Sequence, residues 1–308
     1  MDLSEIASTF FRILPQALMS GIALGSVYAL IAQGFYVTFT TTQTVNFAQG
    51  EFLMVGALTS YSLMVLSGLS TAVSPGVAFL ISLGVVAIVM SVMGIVTERV
   101  AIRPLRQLLS VGWILSTVGV SVILKQFAEL YWGREQRRVP SVFGDSPVFI
   151  AGTGIFPQEI FILLASLAAM AAVLLFLKRS VLGKALMAVA FNPTAAGLMG
   201  IDVRRMVILA YIISSILAGL AGILVAPVIF AHSEMGALLG LKAFAVAIIG
   251  GLGNPFGILI AGLALGVAEF IVAGFNASLR DAVTFFLLIL ILSWRPQGLF
   301  QRVTAEKV

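Results

Sequence analysis

What most constrains this chain is a succession of apolar blocks, each about twenty residues long, running from about residue 16 to about residue 294. A helix that rises about 1.5 Å per residue needs roughly that length to cross about 30 Å of hydrocarbon. Only 10% of the residues are charged, far below the roughly one quarter of a soluble domain. Strands alternating polar and apolar residues are not the dominant pattern, which argues against an outer-membrane barrel. The expected fold is therefore an all-α polytopic membrane protein with about eight or nine transmembrane helices, a single transmembrane domain over residues 1–308.

The apolar spans fall at about 16–38, 47–68, 76–97, 110–131, 158–177, 206–230, 238–251, 255–275 and 279–294. Two polar connections between them are basic: Arg99, Arg103 and Arg106 in the first, and Lys178, Arg179, Lys184, Arg204 and Arg205 in the second. Basic residues collect in cytoplasmic loops. Both connections are thus expected inside, and the stretch 132–156 with Arg134, Arg137 and Arg138 outside. The tail with Arg295, Arg302 and Lys307 also falls inside, provided that 238–251 crosses, and the acidic N-terminus falls outside. The net charge of +5 reflects this loop bias and does not point to nucleic acid. The N-terminus has no basic n-region, so no cleaved signal peptide is expected.

Glycine and proline mark one interruption. Gly250-Gly251-Leu252-Gly253-Asn254-Pro255 permits positive φ and removes an amide donor, so a broken helix is expected near 250–255, with a tight turn between two helices as the alternative. Small residues four apart at Gly21 and Gly25, Ala218 and Gly222, and Gly262 and Gly266 predict close helix packing. The similarity of GIALG at 21–25 to GLALG at 262–266 hints at an internal repeat.

Polar residues inside apolar spans are the candidates for function. Five threonines between Thr38 and Thr44 suit an irregular connection, and Asn46 after them suits the N-cap of the next helix. Glu51 lies about a turn into that helix and Glu269 lies within a later span; a carboxylate there either lines a solute path or ties helices together. His232 reads as an exposed loop histidine and Glu98 as a local ion-pair or interface residue.

The stretch 178–205 is a cytoplasmic loop that is apolar between its basic ends. Asn192 and Pro193 followed by Gly200 predict a short helix over 194–199, whose apolar face needs a partner surface or the bilayer interface. There is no cysteine, which excludes disulfides and thiolate sites, and no HExxH or nucleophile elbow. With no GxxxxGK[ST] loop, ATP-driven work requires another subunit.

Several blocks, in order along nearly the whole chain, resemble the LivH-type permeases of branched-chain amino-acid ABC importers. They are GSVYAL around Tyr28, NFAQGEFLMVGA from Asn46 to Ala57, ERVAIRPLR from Glu98 to Arg106, the loop Gly183–Ile201, AFAVAIIGGLGNPFG from Ala243 to Gly257, GLALGVAE ending at Glu269, and RPQGLF from Arg295 to Phe300. The resemblance implies an ABC importer permease fold in the bacterial inner membrane and no enzymatic activity in this chain. It implies four kinds of partner: a LivM-like second permease, two ATPases that carry ATP and Mg, a periplasmic solute-binding protein and a small-molecule substrate. It further implies that Gly183, Lys184, Asn192, Thr194, Ala195, Ala196, Leu198 and Gly200 belong to a coupling segment seated on an ATPase. Tyr28, Asn46, Glu51 and Glu269 are then the expected residues of the translocation path. Permeases of this appearance also serve urea, amides and aromatic acids.

Overall fold

The computed structural model describes residues 3–105, 112–144, 146–150 and 153–300; Arg106, Arg302 and Lys307, expected above to be cytoplasmic, lie outside them. The chain forms α1 (Leu3–Thr42), α2 (Gln49–Tyr61, prolonged by a π-helical turn at Ser62–Leu66), α3 (Leu69–Ala72), α4 (Pro75–Thr97) and α5 (Gly112–Trp132). A short antiparallel hairpin follows, β1 (Val148–Ile150) with β2 (Thr153–Ile155). Then come α6 (Pro157–Arg179), α7 (Val181–Phe191), α8 (Pro193–Leu198), α9 (Val203–Ile229), α10 (Met235–Gly250), α11 (Pro255–Phe275) and α12 (Arg280–Trp294).

Among the described residues seven helices are long and apolar enough to cross a membrane, and they coincide with seven of the nine expected spans. The other two, α2 and α10, are shorter; α2 is almost wholly buried among its neighbours, and α10 is mostly buried, with Leu238 and Leu241 exposed. The helices α1, α2, α9 and α10 form the centre. The outer faces of α4, α5, α6 and α12 carry exposed apolar side chains, for example Ile88, Leu115, Ile123, Leu130, Leu164 and Ile289, as helices facing lipid require.

Small residues set the central packing. Gly21 and Gly25 on α1 lie against Gly266 and Gly262 on α11, so the two similar pentapeptides touch each other in antiparallel order. A Cβ at Gly21 would stand 2.7 Å from the Val267 Cα, which only glycine avoids. On α9, Gly222 meets the Leu53 carbonyl of α2 in the same manner. This close approach of backbones substitutes for the hydrophobic drive that is missing between helices in lipid.

The interruption near 250–255 is a tight turn joining two separate helices. Gly251 has φ +87°, and the Asn254 side chain accepts from the amides of Phe256 (3.1 Å) and Gly257 (3.2 Å), capping α11 with Pro255 at its first position. The segment after α12 closes over this turn: the Leu299 amide donates to the Ile249 carbonyl (2.8 Å) and Asn254 Nδ2 donates to the Phe300 carbonyl (3.0 Å). Lys178, at the end of α6, lies 5.8 Å from the Phe256 ring centroid. The 178–205 segment and the start of the C-terminal tail therefore share one end of the bundle, as the charge pattern predicts. Arg137 pairs by backbone hydrogen bonds with Ala231 at the opposite end.

Candidate translocation path and coupling surface

After α1 the chain turns back into the bundle, with Thr44, Val45, Asn46 and Ala48 buried. Ser214 Oγ donates to the Gly34 carbonyl (2.9 Å), and Gln49 Nε2 donates to the Ser214 carbonyl (2.9 Å). Ser214 lies eleven residues into α9, about 16 Å along a helix about 40 Å long at 1.5 Å per residue. So α2 starts near mid-depth. The predicted crossing at 47–68 is a helix that begins inside the protein, and the irregular 43–48 connection is held by protein, the condition under which such backbone is tolerated in a membrane. Of the threonines expected to form this connection, only Thr44 lies in it, the other four being in the last turns of α1. Thr38, Thr40, Thr41 and Thr42 each donate to carbonyls three or four residues back, and the Thr42 hydroxyl contacts that of Thr44 at 2.6 Å.

Asn46 is fully buried, yet the N-cap position of α2 is Ala48, not Asn46. The Asn46 Oδ1 accepts from the Ala48 amide (3.1 Å), closing a turn just before the helix, because the chain bends two residues earlier than a simple cap would need. Its Nδ2 has no hydrogen-bond partner among the described residues. Glu51 is 2% exposed. Its Oε1 accepts from Ser121 Oγ of α5 (3.2 Å), and its Oε2 is unpaired beside Gly236 of α10. A cavity of about 200 Å³ opens here between α5 and α10, lined by Glu51, Ser121, Gly236, Phe35, Phe47 and Phe244 among others. The aromatic wall is continuous: Phe244 stands 5.7 Å from Phe35 and 5.5 Å from Phe47, and Phe47 stacks on Trp113 at 6.4 Å.

Tyr28 and Glu269 come together in a second cluster, which presents no free carboxylate. Glu269 is fully buried; it accepts from Tyr28 Oη (2.9 Å) and from the Thr284 hydroxyl, and it pairs with Lys242 Nζ (2.8 Å) and, at 3.6 Å, with Arg280 Nε. Lys242 also pairs with Asp281 (2.7 Å). Four helices, α1, α10, α11 and α12, meet on this network of two cations and two anions. It borders an outer cavity of about 270 Å³ that includes Tyr28, His232, Lys242 and Asp281. Sequence reasoning missed Lys242, although it is the only charged residue between Glu234 and Glu269.

His232 is partly buried, and its Nδ1 lies 3.1 Å from the Phe230 carbonyl. Glu98 is 4% exposed and borders a cavity of about 850 Å³ with Arg99, Arg103 and Arg204.

The 178–205 segment is helical rather than extended. Ser180, Asn192 and Asp202 each accept from an amide of the helix that follows, at 2.8, 2.9 and 3.0 Å, and so turn the chain three times. The short helix α8 begins at Pro193, with Asn192 as its cap and Gly200 at φ +85° beyond its end, as the start and stop residues predict. Lys184, Asn192, Thr194, Ala195, Leu198 and Gly200 are exposed, whereas Gly183 and Ala196 are buried. Phe191, Leu198 and Met199 stand out at 94%, 85% and 83% exposure, an apolar knuckle at the basic end of the bundle.

A helical bundle with re-entrant backbone at mid-depth, an open carboxylate groove and an apolar knuckle at one end defines a membrane permease. The family described as the branched-chain amino acid transport system permease component matches residues 17–292, and the chain belongs to it. The chain is 33% identical over 306 residues to the high-affinity branched-chain amino acid transport system permease protein LivH of Salmonella typhimurium, covering 95% of this chain and 97% of that protein. With the corresponding BraD protein of Pseudomonas aeruginosa it shares 34% identity over 301 residues, again 95% and 97%. A shorter similarity, 32% over 130 residues, links it to the LivM permease of Escherichia coli, covering 40% of this chain and 29% of that protein. No solved structure gives a significant match.

Proposed function

We propose that this chain is one permease subunit of an ATP-driven importer for branched-chain or related amino acids, and that it forms half of the translocation path by alternating access. It sits in the bacterial inner membrane beside a LivM-like second permease. Two cytoplasmic ATPases carry the ATP and Mg, and a periplasmic solute-binding protein delivers the solute. The observation that carries this reading is the α8 knuckle, with Leu198 and Met199 exposed on a rigidly capped turn beside a basic segment. An apolar helix end held out in water needs a partner, and an ATPase groove is the partner that the family relationship suggests.

Support for a shared path comes from the groove at Glu51. A carboxylate that opens sideways at mid-depth is costly against lipid but not against a second permease that closes the groove. Asn46 and Glu51 serve the inner part of the path, Tyr28 lines its outer mouth, and Glu269 holds the helices there in register. Gly183, Lys184, Asn192, Thr194, Ala195, Ala196, Leu198 and Gly200 form the coupling segment, with Gly183 and Ala196 as its buried supports.

Leu198→Arg in the complete importer tests the coupling role. The expected result is an assembled complex in the membrane that has lost stimulation of ATP hydrolysis by the solute-loaded binding protein, together with uptake of labelled L-leucine. Wild-type stimulation and uptake in Leu198→Arg would refute it and mark α8 as a helix lying on the bilayer.

A further inference from the structure

Glu51 differs from Glu269, the other buried carboxylate expected along the path. Glu269 has two cations and two hydroxyls around it. Glu51 has one hydroxyl, Ser121, and an unpaired Oε2 that borders an open cavity. The nearest cation along the same face is Lys125 on α5, one turn beyond Ser121, and it is held by Glu234 (3.5 Å) and Glu129 (4.0 Å). A side chain at Gly236 would fill the space beside Oε2, since a Cβ there would stand 2.5 Å from that oxygen. At about 200 Å³ the cavity lies below the roughly 300–1,000 Å³ of pockets for drug-sized ligands, and its walls are mostly apolar and aromatic.

Resting on the importer reading above, we infer that Glu51 is the receptor for the α-ammonium group of the transported amino acid, with Phe35, Phe47 and Phe244 forming the wall against which its aliphatic side chain slides. The incoming ammonium supplies the countercharge that the protein withholds, with hydrogen bonds to the unpaired oxygen. The substrate class is thus set by the amine: aliphatic zwitterions pass, whereas acids without an amine find an unpaired carboxylate in their way. Selectivity within the path adds to that of the binding protein.

The chain has no cysteine, so Val118→Cys on the cavity wall gives a single reporter in this subunit of the complete importer. Maleimide labelling of that cysteine is followed with added L-leucine, with 3-methylbutylamine (the amine without the carboxylate) or with 4-methylpentanoate (the acid without the amine). The expected result is protection by the first two and none by the third. Glu51→Gln should weaken protection by L-leucine about tenfold or more, the value of one lost charge-assisted hydrogen bond. If Glu51→Gln does not assemble, Gly236→Ala, which crowds Oε2, should give the same loss. Protection by 4-methylpentanoate equal to that by 3-methylbutylamine, or full protection by L-leucine in the variant, would overturn the inference. Uptake of L-leucine by the unmodified importer is measured in parallel: uptake without amine-dependent protection refutes the Glu51 role alone, and no ATP-dependent amino-acid uptake refutes the importer reading itself.

Discussion

Replacing Lys242 by methionine should destabilise the protein far more than a typical substitution, for a reason visible in the packing. Lys242 is 2% exposed, and its ammonium lies between Glu269 and Asp281 at 2.8 and 2.7 Å. Asp281 has a side chain 55% exposed, so water can take over its charge when the ammonium is lost. Glu269 has no such recourse at 0% exposure. Removing one partner of a buried pair costs about 3–5 kcal/mol. Arg280 remains 3.6 Å from Glu269 as a residual countercharge, which places the expected cost near the lower end, about 3 kcal/mol, or roughly a hundredfold in the unfolding equilibrium. The double variant Lys242→Met with Glu269→Gln removes both charges and should recover about 1–2 kcal/mol of that loss, within the range of coupling between contacting residues. The assay is denaturant unfolding of the purified chain in mixed micelles for the wild type, both single variants and the double variant. A loss of 1 kcal/mol or less for Lys242→Met, about the average for any substitution, would refute the reasoning. So would two single effects that simply add.

Gly266→Leu should drive α1 and α11 apart, since the Cβ alone would already meet the Gly25 backbone at 2.6 Å; overpacking of about 1–3 kcal/mol or more is expected and is read as lost abundance in the membrane. Asn254→Ala removes the cap of α11 and the anchor of the Phe300 carbonyl together, so about 1 kcal/mol of stability should go, with faster amide exchange at Leu299 as the specific sign. Asn192→Ala should loosen α8 by about the same amount and lower the coupling of hydrolysis to uptake without changing the amount of chain in the membrane.

Much of the architecture was legible because hydrophobic length reports helices directly. The seven long helices fall where the apolar blocks are, and the start and stop residues around α8 gave its place to within a residue or two. The depth of α2 was not legible. Residues 49–61 read as the start of an ordinary crossing, and only the contacts of Gln49 with Ser214 put that start halfway through the bundle. Asn46 shows the same limit: a residue with the right chemistry for a cap closes the preceding turn, because the path of the connection is set by tertiary contacts. The partners of Glu269 were also hidden, since Tyr28, Lys242, Arg280 and Asp281 converge from separate helices. Lys242 itself carried a readable signal, one charge within more than thirty apolar and small residues, where an ionisable group must be paired or functional. The side of the bundle onto which Glu51 opens depends on where α5 and α10 part, which no spacing in the sequence reveals.

The central claim is that this chain transports only as part of an ATP-driven assembly. The most direct measurement is uptake of labelled L-leucine into proteoliposomes that contain either this chain alone or the chain with a second permease, both ATPases and the binding protein, with and without ATP. The expected result is uptake by the complete assembly with ATP and none by the chain alone. Uptake by the chain alone, driven by a solute or ion gradient, would contradict the claim and define a self-sufficient transporter.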